Sequence, residues 1–320
     1  MPRKNVNSRT KISPSTAVVE SSRKSSLPRV SGRWVLAALG FAIAAAGVCL
    51  WLALCLLFWQ GSWQLLYHPA SDVKRTPADV GVPFQPVSFA STDAGEGRLK
   101  GWWIPAGPDA RYARYTVLYL HGEMGNVGDA VEDLASLHAI GLNVLTFDYR
   151  GYGQSQFLHP SERRWRQDAD WALRYLTATR QVEANTILLD GRGLGANLAL
   201  EVAAAHPELS GVVVDEPALN PVSAIFNDPR ARLVPARLLV RDRFDSNSAA
   251  DTLIIPSLWF VQTPPPGQIG LADEPDAYGK VHAKKTLVWL PSDHSRQRGF
   301  TEALTRWIDD VPSAAPFSQH

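Results

Sequence analysis

No charged residue interrupts the chain from Trp34 to Trp59 (WVLAALGFAIAAAGVCLWLALCLLFW), and beyond it short apolar runs alternate with helix-period patterns. The first run exceeds the roughly 20 apolar residues that a helix needs to cross a hydrocarbon core. The later apolar runs predict strands over 86–91, 97–104, 115–120, 143–147, 186–189, 211–215, 257–261 and 285–290. Between them, apolar residues at threes and fours predict helices over 127–139 and 161–178, and from Leu194 to about Ala205. A final helix places Phe300, Leu304, Trp307, Ile308 and Val311 on one face. Strands alternating with helices over a length suited to one large domain predict an α/β class, a mostly parallel sheet flanked by helices. Residues 217–256 form the longest stretch between predicted core strands and are expected to carry a small cap.

Charge sharpens the reading of the N-terminal third. Residues 1–33 carry eight Lys/Arg against a single acid, Glu20. A basic arm in front of an apolar span predicts a cytoplasmic N-terminus, with the main domain on the non-cytoplasmic face. Trp34, Trp59 and Trp63 sit where interfacial aromatics belong. The span is too long for the apolar region of a secretory signal, and no small-residue cleavage pattern closes it. It is therefore read as a single-pass signal anchor, and the membrane as a partner through residues 34–59. The basic arm serves this orientation, so no nucleic-acid partner is expected. The two cysteines, Cys49 and Cys55, both lie inside the apolar span, which leaves none for a disulfide or metal cluster beyond it. The organisation is then a disordered basic arm (1–33), the anchor (34–59), a Pro-containing juxtamembrane linker (60–85), a folded domain (86–312) and a flexible tail (313–320).

Three short motifs carry candidate chemistry. Residues 190–196 read Asp-Gly-Arg-Gly-Leu-Gly-Ala between a predicted strand and a predicted helix. That is the context of a G-x-S-x-G nucleophile elbow, with Gly193 at the position of the nucleophile. His121-Gly122-Glu123-Met124-Gly125-Asn126 follows the strand 115–120, where glycine lets a turn aim backbone N–H groups into a pocket. The third motif, Phe147 to Ser155 (FDYRGYGQS), ends a strand in a Gly-rich loop, and Asp148 and Arg150 are expected to pair and hold it. His121, Gly122 and Tyr149 are expected to line a pocket. The eight histidines show no metal-binding spacing, so neither a metal nor a cofactor is expected.

In their order and spacing, HGEMGN, FDYRGYGQS, PSERRWRQDADWALRYL, LDGRGLGANLAL and the closing Leu-Pro-Ser-Asp-His294 resemble the α/β-hydrolase superfamily. The likeness is to its Bem46-like, serine aminopeptidase S33-type branch and covers roughly residues 86–310. It implies an eight-stranded sheet, a Ser-Asp-His triad on loops at one sheet edge, and an oxyanion hole built from the N–H groups of Glu123 and Leu194. Against that pattern, Gly193 has no side chain to be acylated, and the loop 262–270 (QTPPPGQIG) contains no acid. Asp273 and Glu274 come several residues late. Only the histidine position is filled, by a vestigial His294, and Glu216 is the one substitute acid placed to orient it. Loss of the nucleophile alone costs a triad hydrolase on the order of 10⁶ in kcat. Two readings follow. One is a catalytically disabled pseudohydrolase that binds a small acyl, ester or peptide ligand or a protein partner. The other is a working esterase, thioesterase or peptidase with an unconventional nucleophile. A third, purely structural role predicts a site filled by side chains such as Trp102, Phe157 or Trp259.

Overall fold

The computed structural model describes residues 31–95, 98–264 and 274–311. The expected arm and tail, most of the acid-poor loop, and Asp273 fall outside the described residues. The described residues up to Leu50 and those from Trp51 onward form two compact units, with the boundary inside the first helix, α1 (Gly32–Gly61). By length and composition α1 is able to cross a membrane.

Eight strands build the sheet of the larger unit. These are β1 (Gln85–Ala90), β2 (Arg98–Ile104), β3 (Thr116–Leu120), β4 (Asn143–Phe147), β5 (Ile187–Arg192), β6 (Gly211–Asp215), β7 (Ser257–Gln262) and β8 (Lys285–Leu290). Their spatial order is β1-β2-β4-β3-β5-β6-β7-β8, antiparallel in the β1–β2 and β2–β4 pairs and parallel elsewhere. The strands β3 and β6 are buried along their whole length, as expected where helices cover both faces of a sheet. Their alternation sorts side chains into two cores. Leu118 and Leu120 join Trp165 and Leu198 on one face; Val117 and Tyr119 join Leu134, Leu304 and Trp307 on the other.

The first face is covered by α3 (Glu162–Arg174) and α4 (Leu194–Ala205), the second by α2 (Val131–Ile140) and α9 (Arg296–Asp310). The helix expected over 161–178 ends earlier than its periodicity suggests: after Arg174 the backbone widens into a π turn, Tyr175–Thr179. The cap is present as three short helices, α5 (Ser223–Asn227), α6 (Ala236–Leu239) and α7 (Ser246–Thr252), with a 3-10 turn at Pro229–Arg232. A further short helix, α8 (Asp276–Lys280), precedes β8. The segment expected as a linker is packed onto the domain. Leu66 and Tyr67 are buried, Tyr67 donates to Asp242 at 2.8 Å, and His68–Pro69 pairs in parallel with Met124–Gly125.

At the end of α4, both ring nitrogens of His206 face carboxylates, Nε2 with Asp170 at 3.1 Å and Nδ1 with Glu208 at 2.9 Å. The Asp170 hydrogen bond leads in holding the imidazole protonated up to about 9. Because the folded value exceeds the unfolded one, the stabilisation is fully present below about pH 6.5 and lost as pH rises through about 9. In urea titrations of the full chain in micelles, the midpoint is expected to fall between pH 7 and pH 9.5. Asp170→Asn is expected to flatten that fall.

Candidate active-site elbow

One residue joins β5 to α4. Gly193 has φ +58° and ψ −126°, a combination open to glycine and strained for any residue with a Cβ. Gly191 and Gly195 are required for a different reason. A Cβ on Gly191 would strike the carbonyl of Gly195, and one on Gly195 would strike those of Leu120 and His121. Strand and helix therefore meet backbone to backbone at the C-terminal edge of the sheet. Gly193 is tied to the neighbouring strand by its N–H, which donates to the Asp215 carbonyl at 3.0 Å.

The first free amide of α4 does not face an empty hole. The Leu194 N–H donates to Oε2 of Glu123 at 3.1 Å, and the same oxygen lies 3.3 Å from where a Cβ on Gly193 would stand. A carboxylate at a helix N-terminus satisfies an otherwise orphan donor and gains from the helix dipole. Two arginines complete the surroundings. Arg192 binds Asp133 at 2.8 Å and approaches Glu216 at 3.5 Å and Asp215 at 3.8 Å. Arg296 reaches in from the start of α9, with Nη2 on Asp215 at 2.5 Å and Nε on Glu216 at 3.2 Å. Burial raises the Asp215 carboxyl to about 6 against the opposing pull of Arg296. Asp190, buried on β5 with neither oxygen hydrogen-bonded, is pushed well above the usual carboxylate range by burial and then by Asp215.

The residues singled out in the sequence separate in space. His294 is exposed on the loop before α9, and Glu216 pairs with the two arginines, so the expected pairing of Glu216 with His294 is replaced by one with Arg296 two residues further on. His121 and Tyr149 are core side chains: His121 Nδ1 lies 2.8 Å from the Gly122 carbonyl, and the Tyr149 hydroxyl donates to the His121 carbonyl at 3.0 Å. Desolvation lowers the His121 imidazole to about 4, so it is neutral at physiological pH. Asp148 and Arg150 do hold their loop, but not as a pair. Asp148 accepts from the Val127 N–H at 2.9 Å, and Arg150 binds Asp168 at 2.6 Å. Of the side chains expected in a filled site, Phe157 is exposed, Trp102 packs in the core of the α2–α9 face, and Trp259 is buried under the cap.

A cavity of about 530 Å³ lies between α4 and the cap, walled by Asn197, Val214, Phe226, Val240, Phe244 and Trp259 among others. Neither Gly193 nor Glu123 lines it, and neither do His121, Gly122 or Tyr149. Asn197 fastens the cap to α4, donating to Ala218 O at 3.0 Å and Ser246 Oγ at 2.7 Å. No group of three His, Cys, Asp or Glu side chains suited to a metal occurs among the described residues. The sequence pointed to the backbone of Glu123 and missed its side chain, and it missed Arg192, Arg296 and Asp133 altogether. Arg192 was the unread position inside the elbow motif; nothing in the local pattern marks the others.

The fold is matched in solved structures. An esterase of Pyrococcus furiosus superposes with a TM-score of 0.57 at 17% identity, over 77% of this chain and 98% of the esterase. An α/β hydrolase of Vibrio vulnificus gives a TM-score of 0.55 at 22% identity, over 73% and 82% of the two chains. The model of the serine aminopeptidase S33 family matches residues 111–251. The chain has the α/β-hydrolase fold. An uncharacterized protein of Mycobacterium tuberculosis is 29% identical over 212 residues, 64% of this chain and 68% of that protein. The α/β-hydrolase domain-containing protein WAV2 of Arabidopsis thaliana is 26% identical over 180 residues, 54% of this chain and 54% of WAV2. Within an α/β-hydrolase, the turn between this strand and helix is where the nucleophile elbow lies.

Proposed function

We propose that this α/β-hydrolase-fold protein is a membrane-anchored pseudohydrolase, held by residues 34–59 with its N-terminus cytoplasmic and its domain on the non-cytoplasmic face. Gly193 takes the nucleophile's place, and a small acyl, ester or peptide ligand, or a protein partner, is bound instead of cleaved. One observation carries this reading: the Glu123 carboxylate sits on the Leu194 amide, directly over Gly193. Acyl transfer needs that amide to bind a developing oxyanion. A resident carboxylate blocks it sterically and repels the charge that would form there. The Arg296 pairs with Asp215 and Glu216 also keep those two acids from orienting a base. The ester and acyl class is suggested by the esterase from Pyrococcus furiosus, and the cavity under the cap has the size of a small-ligand site.

The test is hydrolysis of short-chain p-nitrophenyl esters by the full chain in detergent micelles, beside labelling by a fluorophosphonate probe. Turnover at the level of the micelle blank and no covalent label are expected. A label on a single residue, prevented by a competing ester, would overturn the reading in favour of an unconventional nucleophile.

A further inference from the structure

The outer face of the cap carries a pattern that the elbow does not use. From Pro229 to Arg241 the chain reads PRARLVPARLLVR, and its side chains divide cleanly. Ala231, Val234, Ala236 and Val240 are buried against the domain, while Arg232, Leu233, Arg237, Leu238 and Arg241 are exposed. Leu238 is 83% exposed and Leu233 60%, two large apolar side chains each directly following an exposed arginine. Arg230 is engaged by Asp228 at 2.8 Å. Arg232, Arg237 and Arg241 form no ion pair among the described residues. Arg237 lies over the Phe226 ring at 6.0 Å and Arg241 over the Trp59 ring at 5.6 Å.

This face lies against the C-terminal part of α1. The Trp51 indole N–H donates to the Leu233 carbonyl at 3.1 Å, and Cys55 and Phe58 are buried in the same core as Val234 and Val240. Trp51 precedes Trp59 by eight residues, about 12 Å along a helix. A bilayer that covers α1 up to Trp59 therefore covers Leu233 too, and brings its phosphates level with Arg241. For Leu233 and Arg241 the order along α1 fits a membrane boundary, the leucine level with Trp51 and the arginine level with Trp59, while Arg232, beside Leu233, would extend its head outward along its stem.

We propose that the cap segment 229–241 is seated in the headgroup region of an anionic bilayer, beside the end of α1, with Leu233 and Leu238 in the acyl boundary and Arg232, Arg237 and Arg241 on lipid phosphates. The inference rests on the reading of α1 as the membrane anchor. Contact with anionic lipid makes the roof of the cavity part of the membrane surface, because Phe226 and Val240, which wall the cavity, belong to this cap.

The experiment places an environment-sensitive fluorophore at Leu238→Cys, and separately at Phe41→Cys within α1, in full-length chain lacking Cys49 and Cys55. Each is reconstituted in nanodiscs of phosphatidylcholine with or without phosphatidylglycerol, and brominated lipids serve as quenchers. The label at 238 is expected to shift to the blue and be quenched, more strongly with phosphatidylglycerol. The combined changes Arg232→Gln, Arg237→Gln and Arg241→Gln are expected to lower the docking equilibrium constant roughly a hundredfold, about fivefold for each arginine removed from an anionic surface. Those three side chains are exposed, so the variant is expected to fold.

Quenching at 41 without quenching at 238 would overturn the proposal and leave the anchor reading standing. Quenching at neither position would overturn the anchor reading itself, and this inference with it. Equal quenching at 238 in both lipids, unchanged in the triple variant, would overturn the role given to the arginines. A blue shift at 238 without lipid quenching would mean that protein covers the face, and would also overturn the proposal.

Discussion

Gly193→Ser is expected to stay at the blank rate of ester hydrolysis as a single change, and to gain a measurable rate only when Glu123→Gly accompanies it. Three terms set this order. A serine at φ +58° carries strain of about 1–3 kcal/mol, so the single variant is also expected to be less stable. Its Cβ would lie 3.3 Å from the Glu123 carboxylate, which still holds the Leu194 N–H. Removing one oxyanion donor costs on the order of 10²–10³ in kcat, and here the donor is replaced by a negative charge. Shortening Glu123 frees the amide. With His294 exposed and Glu216 bound to Arg296, no base is oriented, and the double variant is left with what geometry and the freed amide supply. That is about 10³–10⁴ over the uncatalysed reaction. Release of p-nitrophenol by the two variants, measured beside the parent chain in micelles, is the check. A single variant as fast as the double would mean that Glu123 leaves the amide readily and is no plug.

The plug also marks where the sequence stopped being informative. Every core strand was legible to within three residues at either end. β4, β6 and β8 match their expected limits; β4 and β6 are buried almost throughout, and a strand buried on both faces writes itself as a largely apolar run. The elbow was legible because backbone crowding leaves only glycine at 191 and 195, a demand that does not depend on distant parts of the chain. Glu123, Arg192 and Arg296 are different. Each is a long polar side chain whose partner lies on another element, 71 positions away for Glu123 and Leu194 and 81 for Arg296 and Asp215. Periodicity carries no record of such reach. Resemblance pointed the wrong way as well, toward His294, since a family pattern marks which position bears the base and not which neighbour folds inward. The segment 60–85 was misjudged for a similar reason. Its prolines read as a linker, while Tyr67 is buried and donates to Asp242, a partner 175 positions away.

Asp168→Ala is expected to produce the largest loss of stability among changes that leave the elbow untouched, about 3–5 kcal/mol, because it strands a buried guanidinium. Asp168 is fully buried on α3, and its two oxygens are used separately. Oδ1 accepts from Arg150 Nε at 2.6 Å and Oδ2 from the Arg150 N–H at 2.8 Å. Arg150 is itself only 8% exposed, so its charge has little recourse to water. Its remaining partners, the Arg164 carbonyl at 3.3 Å and Gln167 at 3.0 Å, are neutral. Burial raises the Asp168 carboxyl to about 6 against the opposing pull of Arg150, so at pH 7.5 the pair is ionised. The expected loss corresponds to a fall in Tm on the order of 10 °C for a domain of this size. Asp168→Asn keeps an acceptor for one of the two donors and is expected to lose clearly less. Thermal unfolding of the three chains in micelles at pH 7.5 decides the matter. An alanine variant within 1 °C of the parent would mean that Arg150 finds water or another carboxylate, and that the loop between β4 and α3 is held by Asp148 alone.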